Sequence, residues 1–162
     1  MGLAPGTLAA VITVSDGVSA GTRGDGSGDA LEQMLTERGF EVTRVLVPDE
    51  ADRITEAIRA ASSSAALVVT TGGTGFGLRD VTPEATAEVL EREASGLVHA
   101  MIAHGLESTP MAALTRARAG TVGSSLVVNL PGSPRGAVEN LGAIIDLIPH
   151  ALQLLGGDNR HH

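Results

Sequence analysis

One stretch near the middle of the chain, residues 67–84, constrains the fold more than any other. It opens with the short, β-branched run Leu67–Thr71, which favours a buried strand over a helix. Glycines at positions 72, 73, 75 and 77 follow, and they permit sharp bends and a close approach to a ligand. Thr82-Pro83 then predicts a helix start, with the hydroxyl as the cap and proline where its missing N–H costs nothing. This order predicts a loop that holds an anion or a metal-bound phosphate.

The composition predicts one globular domain over residues 1–160, with His161-His162 interpreted as a tag remnant. The 162 residues are 43% hydrophobic but contain only two aromatic side chains, so the core must be aliphatic. A net charge of −8 without any lysine argues against a nucleic-acid partner and excludes a P-loop. The absence of cysteine excludes thiol catalysis. The first residues lack a basic signal region, and we therefore expect a cytoplasmic protein without a membrane partner.

Four apolar, β-branched runs alternate with helical patterns, which predicts a three-layer α/β/α fold with a mostly parallel sheet. The strands are expected at residues 8–14, 41–47, 67–71 and 125–130. Residues 21–28 are rich in glycine but match no phosphate-binding pattern, and we interpret them as a flexible surface loop. Residues 109–123 give no clear pattern. For residues 114–118, a short strand and coil are both compatible with the sequence. Helices are expected from residue 28 or 29 to 39, and over 52–61, 83–93, 97–106 and 137–155, the last kinked or broken at Pro149.

Polar or glycine-rich loops follow each of these four strands, and in a parallel sheet they open on one edge, where ligands bind. Asp16, Asp49 and Asp80 are therefore expected to be neighbours there. Two or three carboxylates, with substrate phosphates, form a common Mg²⁺ site in phosphoryl or nucleotidyl transfer. Arg79 and Arg135 are candidates for fixed positive charge.

Each candidate also has a simpler structural interpretation. Asp49 is well placed to cap the helix that follows it, and on sequence grounds alone the cap is favoured. Asp80 can assist the Thr82 cap, although its place among glycines favours function, and Asp16 is as much a turn residue as a ligand. Ser133 lacks the frame of a nucleophile. Arg116 and Arg118 fit a solvated strand or an oligomer contact better than catalysis.

These residues together resemble a known family. Residues 70–75, continuing through Arg79-Asp80-Val81-Thr82-Pro83-Glu84, resemble the signature loop of the molybdenum-cofactor biosynthesis domain family. Pro48-Asp49-Glu50 and residues 129–134 are similar to two further motifs, and Ser15-Asp16 fits the first strand end. The resemblance covers roughly residues 8 to 155. Within the family, the greatest likeness is to the single-domain molybdopterin adenylyltransferases.

The resemblance implies an enzyme that transfers AMP from Mg-ATP to molybdopterin and releases pyrophosphate. It also implies a parallel α/β/α domain, a homotrimer (with hexamers in some members) and a molybdenum insertase as downstream partner. Asp49 and Asp80 match two essential acidic positions of the family. This match implies that both residues are catalytic and that both bind Mg²⁺. The residues expected to bind ATP or molybdopterin lie on the strand-end loops: Ser15, Asp16, Thr71, Gly72, Gly73, Thr74, Gly75, Arg79, Asn129, Pro131, Gly132 and Ser133.

Two departures and two alternatives accompany this prediction. Ile102 and His104 stand where relatives often carry arginine and serine, which bears on the pterin contacts. One alternative is a non-catalytic molybdopterin-binding or scaffold protein of the same pathway. The other is a nucleotide pyrophosphatase of the competence-damage type. Retention of both Asp49 and Asp80 favours the transferase.

Overall fold

The computed structural model describes residues 2–157, and its framework is a mixed sheet. The strands found in these residues are β1 (Leu8–Val14), β2 (Glu41–Val47), β3 (Leu67–Thr71), β4 (Arg92–Glu93), β5 (Ala119–Val122) and β6 (Ser125–Leu130). The sheet order is β2-β1-β3-β6-β5-β4. The first four strands in this order run parallel, whereas β5 pairs antiparallel with β6 and β4 antiparallel with β5.

Helices cover both faces of the sheet. They are α1 (Asp16–Ser19), α2 (Gly26–Glu37), α3 (Ala51–Ser62), α4 (Thr82–Val89), α5 (Ser95–Leu106), α6 (Pro134–Ile144) and α7 (Ile148–Leu155), with 3₁₀ helices at Pro110–Leu114 and Ile145–Leu147. One buried cluster joins the sheet to α2, α5, α6 and α7, and a second joins it to α3 and α4. The predicted three-layer α/β/α fold with a mostly parallel sheet is therefore confirmed.

Successive residues of the central strands serve opposite layers, because side chains alternate along a strand. In β1, Ala9 and Val11 pack on the first cluster while Ala10 and Ile12 pack on the second. All five residues of β3 are buried. A strand covered on both faces reads as a continuous apolar run rather than an alternating one, as these sequences do.

Several predicted helix limits are wrong, each for an identifiable reason. The second helix begins at Gly26 rather than at 28 or 29, because the Asp25 side chain accepts the N–H of Gly28 and caps it. The fourth helix ends at Val89, and the chain turns into the edge strand β4 instead of continuing to 93. The long C-terminal helix begins at Pro134 and is interrupted at 145–147, and a separate helix begins at Ile148 with Pro149 in its first turn.

The pattern that gave no clear prediction, residues 109–123, contains a 3₁₀ helix followed by the antiparallel strand β5. Residues 161–162, interpreted as a tag remnant, lie outside the described part of the chain. Among residues 2–157, no helix is both long and apolar enough to cross a membrane.

Candidate functional site

The carboxyl ends of the parallel strands enclose a cavity of about 390 Å³. Each of the four strands contributes to its wall: Ser15 after β1, Asp49 after β2, Gly72 after β3 and Gly132 after β6. The structure thus brings together the loops expected at one edge of the sheet. The remaining lining residues are Thr13, Val14, Val18, Arg23, Gly24, Asp25, Gly26, Ser27, Thr71, Gly73, Asp80 and Pro134.

The glycine turn after β3 packs too closely on its neighbours to carry side chains. Gly72 has φ +105°, and a Cβ there would lie 2.3 Å from the carbonyl oxygen of Val14. Gly73 has φ +70°, and its Cβ would lie 2.4 Å from the hydroxyl of Thr82. Both φ values are rarely adopted by L side chains, so glycine is required here for conformation as well as for space.

Asp16 and Asp49 bind each other reciprocally across the ends of β1 and β2. The Asp49 carboxylate accepts the backbone N–H of Asp16 at 3.0 Å, and the Asp16 carboxylate accepts that of Asp49 at 3.0 Å. The favoured interpretation of Asp49 as a helix cap is wrong, because Glu50 occupies the cap position and no side chain caps α3. Its carboxylate instead contributes to the cavity wall.

The electrostatic environment separates these two carboxylates. Burial raises the pKa of the Asp49 carboxyl, and the negative charges of Asp16 and Asp80 raise it further. Two hydrogen bonds from Arg79, Nε to one oxygen and Nη2 to the other, both at 3.0 Å, hold the pKa of Asp16 below its ordinary value. Asp16 is therefore neutralised by an arginine, whereas Asp49 bears unfavourable negative charge.

Asp80 is held inside its own loop. Its carboxylate accepts the backbone N–H of Gly77 at 2.9 Å, and its own N–H donates to the carbonyl of Gly77 at 3.0 Å. The prediction that Thr82 caps the next helix is wrong: Val81 stands at the cap, and the Thr82 hydroxyl donates to the carbonyl of Gly72 at 2.9 Å. Thr82 thus fixes the glycine turn. Since Thr82 does not cap α4, Asp80 does not assist a Thr82 cap.

The acidic side chains fit a magnesium ion that is shared with a phosphate substrate. Within residues 2–157, no group of three or more His, Cys, Asp or Glu side chains is arranged to hold a metal alone. Mg²⁺ usually takes one or two carboxylates and completes its shell with water and substrate phosphates. Asp49 and Asp80 both line the cavity, and their mutual repulsion is what a divalent cation would relieve.

A second cavity, of about 340 Å³, is lined by other residues of the same loops. Four of the predicted substrate-binding residues line it: Thr74, Gly75, Pro131 and Ser133. Its other walls come from the end of α5, the first turns of α6, and the 3₁₀ helix Pro110–Leu114 with the residue after it. This last segment contributes Met111, Leu114 and Thr115. More of its exposed surface is apolar than in the first cavity. The described lining of neither cavity includes Ile102 or His104.

Two other predicted residues bind groups inside the protein, and one of them also lines the first cavity. Asn129 is fully buried; its amide donates to the hydroxyls of Thr70 and Thr86 at 2.9 Å, and its oxygen accepts the N–H of Arg118. Thr71 lines the first cavity while its hydroxyl donates to the carbonyl of Pro131 at 2.7 Å.

At the start of α6, two further candidates have partners of their own. Ser133 caps α6 by accepting the N–H of Gly136 at 3.1 Å. Arg135, a candidate for positive charge, pairs with Glu139 at 2.9 Å and lines neither cavity.

The sequence interpretation missed two groups of site residues. The segment 21–28, interpreted as a flexible surface loop, supplies residues 23–27 to the cavity wall. Its Asp25 binds the Thr13 hydroxyl and Arg44, while Arg23 brings a positive charge to the cavity. An aspartate three residues before Gly28 was the available signal of a capped helix. The other omission is Arg116, which contacts the glycine-rich loop.

Comparisons with known proteins identify the family of this chain. The family described as the probable molybdopterin binding domain matches residues 10–150. The chain is 38% identical over 153 residues to the molybdopterin adenylyltransferase of Helicobacter pylori (strain J99), covering 91% of this chain and 87% of that protein. It is 40% identical over 153 residues to the molybdenum cofactor synthesis protein cinnamon of Drosophila melanogaster, again over 91% of this chain. That match spans only 25% of the much longer Drosophila protein.

A solved structure agrees with the sequence matches. The crystal structure of the molybdopterin biosynthesis enzyme MoaB from Thermus thermophilus superposes with a TM-score of 0.86 at 45% identity, covering 93% of this chain and 97% of that one. Sequence and fold agree over nearly the whole described chain. The protein therefore belongs to the molybdenum-cofactor biosynthesis family described as the probable molybdopterin binding domain.

Proposed function

We propose that this protein transfers AMP from Mg-ATP to molybdopterin, giving adenylyl-molybdopterin and pyrophosphate. The observation that carries the proposal is the cavity at the ends of four parallel strands, with Asp49 and Asp80 on its wall and the Gly72-Gly73 turn beside them. The relatives named molybdopterin adenylyltransferase support it, because this chain covers most of their length.

The reaction needs positioning and charge neutralisation rather than a protein nucleophile. An oxygen of the molybdopterin phosphate forms a bond to the α-phosphorus of ATP. The bond from that phosphorus to the oxygen bridging to the β-phosphate breaks, and pyrophosphate leaves with the electron pair. Asp49 and Asp80 are the residues that would hold Mg²⁺, which when bound neutralises the phosphate charge. The tight Gly72-Gly73 turn lets phosphates approach the backbone.

The two adjoining cavities suggest how the substrates divide the site. The polar cavity, with its acidic wall, suits the nucleotide phosphates and their metal. The more apolar cavity, lined by Thr74, Gly75 and Ser133, suits the fused ring system of molybdopterin. The loops after β3 and β6 line both, so a phosphate on one substrate would reach the other between them. Arg79, exposed and bound to Asp16, is the nearby cation that would exchange partners with an incoming phosphate.

The wider biological setting is part of the same proposal. We expect a homotrimer, with a hexamer as the variant, acting in the cytoplasm and passing its product to a molybdenum insertase. Three large apolar side chains that are exposed near one another in sequence, Leu106, Met111 and Leu114, support an assembly. Sedimentation or light scattering measures the number of subunits directly.

The decisive test is transfer of AMP from α-labelled ATP to purified molybdopterin. We expect transfer with the wild-type protein, loss of transfer with Asp49→Asn and with Asp80→Asn, and normal transfer with Asp52→Asn, a surface aspartate after the same strand β2. Pterin binding without AMP transfer would instead indicate a non-catalytic binding protein. Hydrolysis of ATP or ADP-ribose without pterin would indicate a nucleotide pyrophosphatase. Either result would overturn the proposal.

A further inference from the structure

Arg116 lies outside both cavities but binds the glycine-rich loop at both ends. Its Nε donates to the carbonyl of Gly75 and its Nη2 donates to the carbonyl of Asp80, each at 2.8 Å. Its own backbone N–H donates to the carbonyl of Thr74 at 2.9 Å. One residue thus connects two points of the loop that are five residues apart, and it does so from a segment 36 residues away from Asp80 in the chain.

The guanidinium is itself fixed in place on its remaining sides. Its Nη1 pairs with Glu84 in the first turn of α4, and the ring of Phe76 lies 5.6 Å from its central carbon. The side chain is only 28% exposed. A planar group with several donors in a fixed arrangement can hold two carbonyls and a carboxylate at once, which a lysine ammonium on its flexible stem cannot reproduce. The arginine is therefore a rigid connection between the loop and α4.

The loop has few other restraints on the backbone that carries Asp80. The described hydrogen bonds that join two residues of the segment 75–80 are the two between Asp80 and Gly77. Gly75 and Gly77 have no side chain that would restrict the backbone. The remaining side-chain tie described for this segment is the exposed pair of Arg79 with Asp16. Exposed pairs contribute little and are screened by salt. Arg116 thus provides the best-sheltered restraint on the position of Asp80.

We propose that Arg116 is a positioning residue that keeps the carboxylate of Asp80 directed to the cavity for adenylyl transfer. The inference rests on the proposed function for its chemical consequence, but its structural content is independent of it. Arg116 acts through the loop, since the described lining of the two cavities does not include it. These contacts replace the interpretation of Arg116 as a solvated residue.

Arg118 provides a matched control two residues along the chain. Its guanidinium pairs with Glu93 at the surface, and its side chain is 43% exposed. Its backbone N–H, which donates to Asn129, is retained when the side chain is truncated. Arg118→Ala therefore removes the same charge from the same segment without touching the glycine-rich loop.

The test compares Arg116→Ala, Arg116→Lys and Arg118→Ala in steady-state transfer of AMP. A misplacement of about 1 Å at a reacting group can cost on the order of 100-fold in rate, and we expect a fall of that order in kcat for Arg116→Ala. The fall in kcat should exceed any rise in the KM for ATP, because Asp49 still holds the Mg²⁺ of the incoming nucleotide. Arg116→Lys should remain impaired, and added ethylguanidinium should restore part of the rate of Arg116→Ala. Arg118→Ala should keep the wild-type kcat.

Amide hydrogen exchange over residues 72–81 separates the failure of this inference from the failure of the proposed function. We expect faster exchange in Arg116→Ala than in the wild type or Arg118→Ala, whether or not the protein transfers AMP. If the wild type is inactive, the proposed function fails, and the exchange rates alone judge Arg116. Unchanged exchange, or an unchanged kcat in an active enzyme, overturns the positioning role. If Arg116→Ala does not fold, Arg116→Lys supplies the same two measurements.

Discussion

Gly72→Ala should destabilise the protein far more than its small change in volume suggests. At φ +105° an alanine adopts a strained backbone, which costs about 1–3 kcal/mol. Its Cβ would also lie 2.3 Å from the carbonyl oxygen of Val14, a backbone atom that cannot rotate away. Overpacking of this kind costs about 1–3 kcal/mol. Together these give a loss of about 4 kcal/mol in the free energy of unfolding.

Gly21→Ala is the control that separates the two costs. Gly21 also has a positive φ, +76°, but a Cβ there meets no atom within 4 Å. It should therefore lose only the backbone strain, about 1–2 kcal/mol. Urea unfolding followed by circular dichroism measures both variants against the wild type. Equal losses for the two variants would refute the reasoning, because they would show that the turn moves away from β1 without cost.

Three further substitutions test the site. Gly77→Ala places a Cβ 2.9 Å from the Asp80 carboxylate, so AMP transfer should fall while the melting temperature stays near that of the wild type. Its control is Gly96→Ala, which should leave transfer unchanged because a Cβ at Gly96 has open space and the residue lines neither cavity. Asp49→Asn should raise the unfolding free energy at pH 7 by a small amount, because the carboxylate is disfavoured by burial but partly screened by solvent. Because the pKa of the Asp49 carboxyl is higher in the folded state than in the unfolded state, the protonated carboxyl favours folding. This stability is present below the unfolded-state pKa and is lost as the pH rises through the folded-state pKa. The gain should therefore disappear in acid unfolding curves below pH 3.8. Asn129→Leu leaves two buried hydroxyls without their donor and should cost about 2–4 kcal/mol in urea unfolding; lost substrate binding at full stability would contradict its interior role.

The strands were predictable because their signal is local. An apolar, β-branched run bounded by glycine or polar residues needs no distant information, and β3 matches the expected residues 67–71. The convergence of the strand ends follows from topology alone, since parallel strands point the same way. Helix limits were less accurate, because a cap such as Asp25 or a break at 145–147 depends on single contacts.

The roles of individual polar residues depended on partners far away in the sequence. Asp49 looked like a helix cap because its neighbours allow one, but its partner is Asp16, 33 residues earlier. Thr82 looked like a cap for the same reason, and its hydroxyl binds the turn ten residues before it. Arg116 looked solvated because nothing near it in sequence indicates the loop 36 residues away. Local patterns identify the residue type at a site but not the partner it selects.

The charges at the cavity also constrain which form of substrate it accepts. Asp25 pairs with Arg44, which also binds Asp29 and Glu32, and Asp16 beside the cavity pairs with Arg79. Among the lining residues described, the carboxylates of Asp49 and Asp80 have no arginine partner, and Arg23 is the cation on the same wall. A free triphosphate would therefore meet a wall of its own sign, in a chain whose net charge is −8. A triphosphate that arrives with a divalent cation brings the missing positive charge to the two uncompensated carboxylates. On the proposed function, this acidic wall would therefore favour the metal-bound nucleotide over the free one, and Arg79 would exchange Asp16 for the phosphate that such a substrate offers.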